Sequence, residues 1–202
     1  MAHELNIGTI NGLSIDQILS KMADKKIGID LGADGKYVPQ YDFIEGNISI
    51  GSIVTMDSRE WIVVDINSAA QGSIFLITKD IIQTTQFGSN NTYSGSTIAT
   101  LAKTFENNLS SEVKAKLITR TVYGVTQKVH IPTYNECNGG IEYFASASSR
   151  IGYYNGTATY WWTCSPGSSD GSVYYVGAGG GVYDGGYPGF SYGFRPFVAL
   201  AM

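Results

Sequence analysis

The sequence predicts an α+β fold, and three observations lead to this class. Apolar, β-branched segments come first along the chain, amphipathic segments with helical spacing follow, and short strands return near the C-terminus. The 202 residues include 25 Gly and 14 Tyr, and only 15% are charged. This composition is typical of β-structure and loops rather than of helical bundles. A chain of this length can bury one sizeable core, so we expect one main domain with a small addition.

Residues 1–50 are predicted to form an N-terminal segment for attachment or oligomerisation. A helix over residues 13–26 begins at Ser14, a residue type that caps helices, and carries an apolar stripe. The Gly-containing stretch 27–40 predicts an irregular arm. Residues 51–202 then form the main domain. An alternative of equal weight is that the N-terminal segment packs on the same core.

Three strands are predicted at the start of the main domain. Residues 52–56 and 60–66 form a hairpin, and residues 73–78 add a third, buried strand.

Two helices and a short strand are predicted next. Ser94 or Ser96 begins the first helix, and Ser110 caps the second. A strand over residues 128–131 ends at Pro132. Apolar residues at helical spacing define the first helix: Ile98, Leu101, Ala102, Phe105 and Leu109.

The composition changes after residue 150. Residues 151–202 hold 12 of the 25 Gly and 8 of the 14 Tyr, with only three charged residues. Residues 172–177 and 182–184 are predicted to pair across a glycine turn. Residues 194–200 form a closing strand, in which Pro196 requires an edge or bulge position.

The charge and the termini exclude several classes of protein. The net charge is −4 with a pI near 5.1, and the basic stripe that phosphate binding requires is missing, so we expect no nucleic-acid partner. No apolar run reaches the length of a membrane span, and the N-terminus lacks the regions of a secretory signal. We expect no membrane insertion, and a chain that is virion-associated or cytoplasmic before release.

No group of residues predicts catalysis, a metal site or a cofactor. His130 lies in a short apolar strand, where a structural role is favoured over that of a general base. Cys137 and Cys164 are too few for a disulfide framework or a zinc site, although one disulfide between them stays open. The glycine runs lack the following helix and Lys of a phosphate loop. We therefore expect a protein that is not an enzyme.

The tract from Tyr160 to Arg195 has the composition of evolved binding surfaces. Tyrosine offers a large, fairly rigid contact area with a polar tip, and Gly and Ser give adaptable loops beside it. An alternative of equal weight is a Gly- and Tyr-rich β tract that merely packs.

Seven segments resemble a bacterial and phage domain family of the C-type-lectin-like folds, related to the formylglycine-generating enzyme. The resemblance covers about residues 51–202 and implies a C-type-lectin-like fold. The segments are EWIVV (60–64), LITKD (76–80), YSGSTI (93–98), IPTYNE (131–136), YWWTCSPG (160–167), VYYV (173–176) and GFRPFV (193–198).

Within that group, the C-terminal tract is similar to the variable region of proteins diversified by retroelements. Their AAC-type codons, with the first two bases randomised, cannot encode Lys, Glu, Gln, Met or Trp, and residues 163–194 contain none of these. The implied function is recognition of a cell-surface protein or glycan, as at the tip of a phage tail fibre. The implied ligand-binding residues are Thr163, Cys164, Ser169, Asp170, Tyr175, Tyr183, Asp184, Tyr187, Phe190 and Tyr192.

The same resemblance assigns other residues to the scaffold and leaves two alternatives. Arg195 is expected to bond loop carbonyls. Cys137 and Cys164 are widely separated, unlike the paired cysteines of the oxidase branch, and the Glu-Pro-Asn and Trp-Asn-Asp motifs of calcium-dependent lectins are missing. The alternatives are an oxidase relative and a structural virion or assembly protein that oligomerises through its N-terminal segment. The scaffold residues are Trp161, Val173, Val176, Val182, Phe194, Pro196 and Val198.

Overall fold

The computed structural model describes residues 48–66, 72–169 and 171–201. The helix predicted over residues 13–26 and the arm over 27–40 lie outside the described residues. Their proposed role in attachment or oligomerisation, and the domain boundary at residue 51, stay predictions.

Strands are the main secondary structure of the described residues, and there are fifteen of them. Two larger sheets dominate: one of six strands in the order β1-β2-β3-β15-β5, with β8 also paired to β15, and one of five in the order β13-β12-β11-β14-β4. The strands are β1 (Ile53–Met56), β2 (Arg59–Ile66), β3 (Ser73–Thr78), β4 (Gln83–Thr85), β5 (Leu117–Ile118), β6 (Arg120–Val122), β7 (Val125–Gln127), β8 (Val129–His130), β9 (Gly152–Tyr154), β10 (Thr157–Thr159), β11 (Trp161–Pro166), β12 (Val173–Val176), β13 (Val182–Gly186), β14 (Tyr192–Phe194) and β15 (Phe197–Ala201).

The predicted α+β class, with two helices beside short strands, is wrong, because the described chain is mostly β-sheet. The longest helix, α1 (Thr97–Asn107), has 11 residues, whereas α2 (Ser111–Lys116) has six and α3 (Ala147–Arg150) four. Two further helical turns cover Glu136–Gly140 and Glu142–Ala145. The patterning underestimated the strands because many span only two to four residues, too few to show a period.

The two predicted helices themselves are confirmed. The Ser96 side chain accepts a hydrogen bond from the backbone N–H of Ala99, and Ser110 caps α2 in the same way through Val113. These bonds satisfy backbone donors that the first turn of a helix leaves unpaired.

The six-stranded sheet is covered on both faces, which explains why β3, β15 and the central part of β2 are almost continuously buried. Successive side chains of a strand point to opposite faces, so they alternate between two cores. In β3, Ile74 and Leu76 enter the core that also receives α1, whereas Phe75 and Ile77 enter the second core. The hairpin β1–β2 and the third strand β3 are confirmed, with consecutive antiparallel pairing.

The closing strand occupies a different position from the one predicted. Pro196 separates β14 from β15, and β15 lies inside the sheet between β3 and β5. The prediction was an edge or bulge position for Pro196; β15 is not an edge strand, and Pro196 instead lies at the break between two strands. Pro196 interrupts the chain where it passes from one sheet to the other, so its missing N–H removes no ladder bond, while its carbonyl accepts from the Thr78 N–H at 3.0 Å.

The predicted hairpin in the C-terminal tract is confirmed. β12 pairs with β13 in antiparallel register, with Tyr175 opposite Tyr183, across the turn 177–181. β11 lies on the other side of β12, and β14 runs parallel to β11. This order places much of the Tyr-rich tract in one sheet.

Candidate functional site

Six aromatic side chains of the C-terminal tract form one connected group, which we call the aromatic surface. Four rings are about half exposed or more: Tyr160 at 46%, Tyr183 at 51%, Tyr187 at 64% and Phe190 at 50%. The remaining two, Tyr175 and Tyr192, are half-buried between them. An exposed group of large side chains of this size is uncommon and marks a candidate interaction site.

Strand register places two of these rings, Tyr175 and Tyr183, in a row with the buried Trp162. Tyr175 on β12 pairs with Trp162 on β11 and with Tyr183 on β13, so the three side chains form a cross-strand row on one face. Trp162 is fully buried, and its Nε1 donates to the carbonyl of Thr85 at 2.9 Å. The Tyr192 ring lies 4.5 Å from the Trp162 ring. Trp162 is therefore the buried residue on which Tyr175 and Tyr192 of the aromatic surface pack.

The rings are packed against one another. Tyr175 lies 5.9 Å from Tyr160, 5.7 Å from Tyr183 and 5.2 Å from Tyr192, measured between ring centroids. Tyr160 and Tyr192 are stacked, with centroids 5.3 Å apart and planes 23° from parallel. Such contacts contribute about 0.5–1.5 kcal/mol per pair beyond the burial of area, which favours one defined arrangement.

Glycines leave the space that the rings occupy. A Cβ on Gly186 would lie 2.8 Å from Trp162 Cζ3 and 2.9 Å from Tyr175 Cδ1. A Cβ on Gly181 would lie 2.4 Å from the Tyr183 hydroxyl oxygen. The alternation of Gly and Tyr therefore has a packing reason as well as a compositional one.

The loop between β13 and β14 presents the most exposed rings. The carbonyl of Pro188, a buried residue, accepts from the Phe87 N–H at 2.9 Å, and the Phe190 N–H donates to the Tyr187 carbonyl at 2.9 Å. The Tyr187 and Phe190 rings meet edge to face with centroids 5.6 Å apart. The loop is therefore tied to the body of the domain at Pro188, which lies between its two exposed rings.

Arg150 holds the turn before β13, and sequence reasoning did not single it out. Its Nε donates to the Gly180 carbonyl at 2.6 Å, and its Nη1 donates to the carbonyl of Phe144. These bonds attach the turn that leads to Tyr183 to the segment 142–150.

The predicted binding residues divide into three groups. Tyr175, Tyr183, Tyr187, Phe190 and Tyr192 come together in the aromatic surface. Ser169 and Asp184 are exposed but belong to a separate polar loop, and Asp170 lies outside the described residues. Thr163 and Cys164 are fully buried, which excludes them from the binding face predicted for them.

Burial of these two residues follows from the position of β11 inside the five-stranded sheet. The Thr163 hydroxyl donates to the Tyr174 carbonyl at 2.8 Å, and the Cys164 side chain joins the core beneath α1. Tyr160, in contrast, is part of the surface but was not predicted. It precedes Trp162 by two residues, the spacing that places two side chains on the same face of a strand.

Asp184 organises the loop before β12. Its carboxylate accepts from the backbone N–H and the hydroxyl of Ser168, from the Ser172 hydroxyl at 3.0 Å and from the Gly185 N–H at 2.6 Å. These hydrogen bonds, those from Ser168 foremost, lower the pKa of Asp184. With its oxygens occupied in this way, Asp184 acts as a structural carboxylate.

Both cysteines are free thiols in the core. Burial raises the pKa of Cys137 and of Cys164, and the charge of Glu136 acts in the same direction. A raised pKa keeps a thiol protonated, whereas the thiolate is the reactive form. The geometry thus gives neither cysteine the properties of a nucleophile.

Arg195 is a structural charge, as predicted. It is 1% exposed and donates to the carbonyls of Thr78 at 2.9 Å, Lys79 at 3.1 Å and Arg150 at 3.4 Å, while its guanidinium lies over the Trp161 ring. Burial lowers the pKa of Arg195 to about 10, which still leaves the group charged at neutral pH.

His130 is also structural, as predicted. It is fully buried; its Nε2 lies 3.1 Å from the Gln127 carbonyl and 3.2 Å from the Arg120 carbonyl, and its Nδ1 lies 3.4 Å from the Tyr93 hydroxyl. This arrangement fits a neutral ring that donates through Nε2 and accepts through Nδ1. Burial lowers the pKa of His130, which favours the same neutral form.

The described residues contain neither a metal-binding cluster nor a membrane-spanning helix. Within residues 48–66, 72–169 and 171–201, no group of three or more His, Cys, Asp or Glu side chains is arranged to hold a metal ion. No helix in the described part of the chain has the length and apolar character needed to cross a membrane.

Residues 71–202 match the family model of DUF6273, a domain of unknown function. The chain belongs to this family. The DUF6273 match includes every strand of the five-stranded sheet and the whole aromatic surface, whereas β1 and β2 precede it. No curated protein matches the chain, and no solved structure does. The resemblance to C-type-lectin-like domains and to diversified variable proteins therefore stays a prediction.

Proposed function

We propose that this chain is a binding protein that recognises a receptor on a cell surface through the aromatic surface. The observation that carries the proposal is the group of six connected rings, four of them 46–64% exposed. Tyrosine-rich surfaces bind partners effectively because a large contact area is ordered at a low entropic cost.

The packing of the rings supports a surface that is formed before the partner arrives. Trp162 lies beneath the rings, glycines make room for them, and Pro188 ties down the loop that carries Tyr187. Preorganisation raises affinity because less conformational freedom is lost on binding.

The resemblance adds a biological setting to this proposal. It supports a phage- or prophage-encoded protein at a tail tip, or a surface adhesin, whose C-terminal tract is diversified. Genomic sequence tests this part: we expect a reverse-transcriptase gene and a near-copy of the last coding segment beside the gene for this chain. A neighbourhood without either would contradict diversification and leave the binding proposal standing.

The buried, protonated cysteines favour a binding role over the oxidase alternative, which requires reactive thiols. The alternative of an assembly protein depends on the N-terminal segment, which lies outside the described residues, and it stays a prediction.

Alanine variants of the surface test the proposal. Tyr175→Ala, Tyr183→Ala and Tyr187→Ala remove contact area and should each weaken binding of the fluorescently labelled full chain to bacterial cells by about tenfold or more, since truncation of a central interface residue commonly loses over 1 kcal/mol. Flow cytometry with Gram-positive and Gram-negative cells measures the effect.

Tyr153→Ala is the matched control, because Tyr153 is 44% exposed on β9 and outside the aromatic surface. It should bind as the wild type does. If the three surface variants keep both fold and full binding, or if the wild type binds no cell in the panel, the proposed function is wrong.

A further inference from the structure

The rings of the aromatic surface are partly covered by one another. The ring of Tyr175 has three aromatic neighbours within 5.9 Å, and the ring of Tyr192 has four within 5.7 Å. Tyr183 packs between Tyr175 and the glycines of the turn 177–181. These contacts cover part of the ring area, while Tyr160, Tyr183, Tyr187 and Phe190 each keep 46–64% of their surface exposed.

The hydroxyl groups of the surface lack partners within the described chain. No hydrogen bond within residues 48–66, 72–169 and 171–201 involves the phenol oxygen of any tyrosine in the aromatic surface. Tyrosines elsewhere differ: the Tyr123 hydroxyl bonds Ser165 Oγ at 2.9 Å, and the Tyr134 hydroxyl accepts from Asn138 at 2.8 Å. The tyrosines with unpartnered phenols are Tyr160, Tyr175, Tyr183, Tyr187 and Tyr192.

The surroundings of the surface are neutral. Among the residues of the five strands of its sheet, Asp184 is the only charged one, and its carboxylate accepts hydrogen bonds from Ser168 and Ser172 in the loop before β12. At the far side, β4 contributes Gln83, Thr84 and Thr85. A charged partner would therefore lose hydration without gaining an opposite charge from this sheet.

We propose that the aromatic surface recognises its partner through the phenol hydroxyls, and that the partner is a folded protein presenting neutral hydrogen-bonding groups. The inference rests on the proposed function and specifies its partner. Phenol hydroxyls both donate and accept, so they suit the amide N–H and carbonyl groups that protein surfaces display.

The size of the surface agrees with a protein partner. An aromatic side chain can bury about 150–250 Å², so four that are roughly half exposed, with parts of two more, offer several hundred Å². A specific protein interface buries about 800 Å² per partner. The aromatic surface thus fits the central part of such an interface, surrounded by the polar residues of β4 and the loops.

The experiment separates the hydroxyls from the rings. The triple variant Tyr175→Phe/Tyr183→Phe/Tyr187→Phe keeps all the rings and removes three unpartnered hydroxyls. Each lost hydrogen bond weakens binding about two- to tenfold, so the full-length variant should bind cells at least about tenfold more weakly than the wild type. Tyr153→Phe serves as the control and should bind normally. In parallel, the cells are treated with protease or with periodate, which oxidises glycans.

Four outcomes are distinct. Loss of binding by the Phe variant, together with loss after protease but not after periodate, supports the inference. If the Phe variant binds fully while the Ala variants do not, recognition is by ring area, and the inference fails while the proposed function stands. If periodate abolishes binding and protease does not, the partner is a glycan, and again only the inference fails. If neither Ala nor Phe variants lose binding, the proposed function fails with it.

Discussion

At the scale of single residues, the polar groups deep in the molecule serve structure. Arg195 and His130 both bond backbone carbonyls. The resemblance implied this role for Arg195, and the short apolar strand around His130 predicted a structural role for that residue. Cys164 shows the limit of that approach. Cys164 was expected at the binding surface because it lies in the tract that resembles a variable region. In the structure β11 pairs with β12 and β14, and the Cys164 side chain is buried in the core.

His130 makes stability depend on pH. Burial lowers the pKa of His130 in the folded state. Below about pH 6.5, His130 is therefore protonated in the unfolded chain at pH values where it is still neutral in the folded chain. Stability should therefore fall as pH decreases from about 7 to about 5. In His130→Gln this pH dependence should be smaller, as measured by urea unfolding at several pH values.

The other histidine of the chain, His3, provides the control. His3→Gln should keep the full pH dependence of the wild type. An equal slope in His130→Gln and wild type would show that His130 titrates normally and would contradict the buried, neutral assignment.

At the scale of elements, the hairpin β12–β13 shows how glycine shapes the aromatic surface. Gly186, at the end of β13, faces both Trp162 and Tyr175, and a Cβ there would also lie 2.8 Å from the Val173 carbonyl oxygen. Backbone cannot move aside as a flexible side chain can. The strand therefore admits no side chain at this position without displacing the row of rings.

Gly186→Ala should disturb this hairpin. Overpacking of this kind costs about 1–3 kcal/mol, so we expect the free energy of unfolding to fall by that amount and the near-UV circular dichroism of the aromatic rings to change. Gly179→Ala is the control, because Gly179 lies in the adjoining turn with no atom within 4 Å of its Cβ position. Equal stability of the two variants would refute the packing role of Gly186.

At the scale of the whole molecule, charge is unevenly distributed. The chain carries a net charge of −4, yet the tract from residue 151 onward has only three charged residues. Long-range attraction between charges is screened by salt, whereas burial of apolar and neutral hydrogen-bonding groups is not. Because the five-stranded sheet carries so few charges, we expect binding through the aromatic surface to depend only weakly on ionic strength.

Cell binding measured at about 0.05 M and about 0.5 M NaCl should differ by less than about threefold. The same titration with Tyr183→Ala, which should have lost most specific binding, calibrates nonspecific adhesion, which does respond to salt. A loss of binding of more than about tenfold at high salt would show that charges outside the five-stranded sheet dominate recognition.

The sequence by itself determined the local elements of the described chain. Apolar, β-branched runs predicted the hairpin β1–β2 and the strand β3, capping serines with apolar residues at helical spacing predicted both helices, and the glycine turn predicted the pairing of β12 with β13. These features depend on residues that are close along the chain, which is why a pattern reveals them.

The tertiary structure determined the features that depend on residues far apart along the chain: the strand content, the burial of individual side chains and the grouping of the tyrosines. It made the fold mostly β, because short strands such as β4, β5 and β8 exist only through partners far along the chain. It buried Thr163 and Cys164, because β11 lies inside the five-stranded sheet and packs against the core, and it left Tyr160, just before β11, about half exposed. A list of tyrosines became a surface only when β11, β12, β13 and β14 were placed side by side.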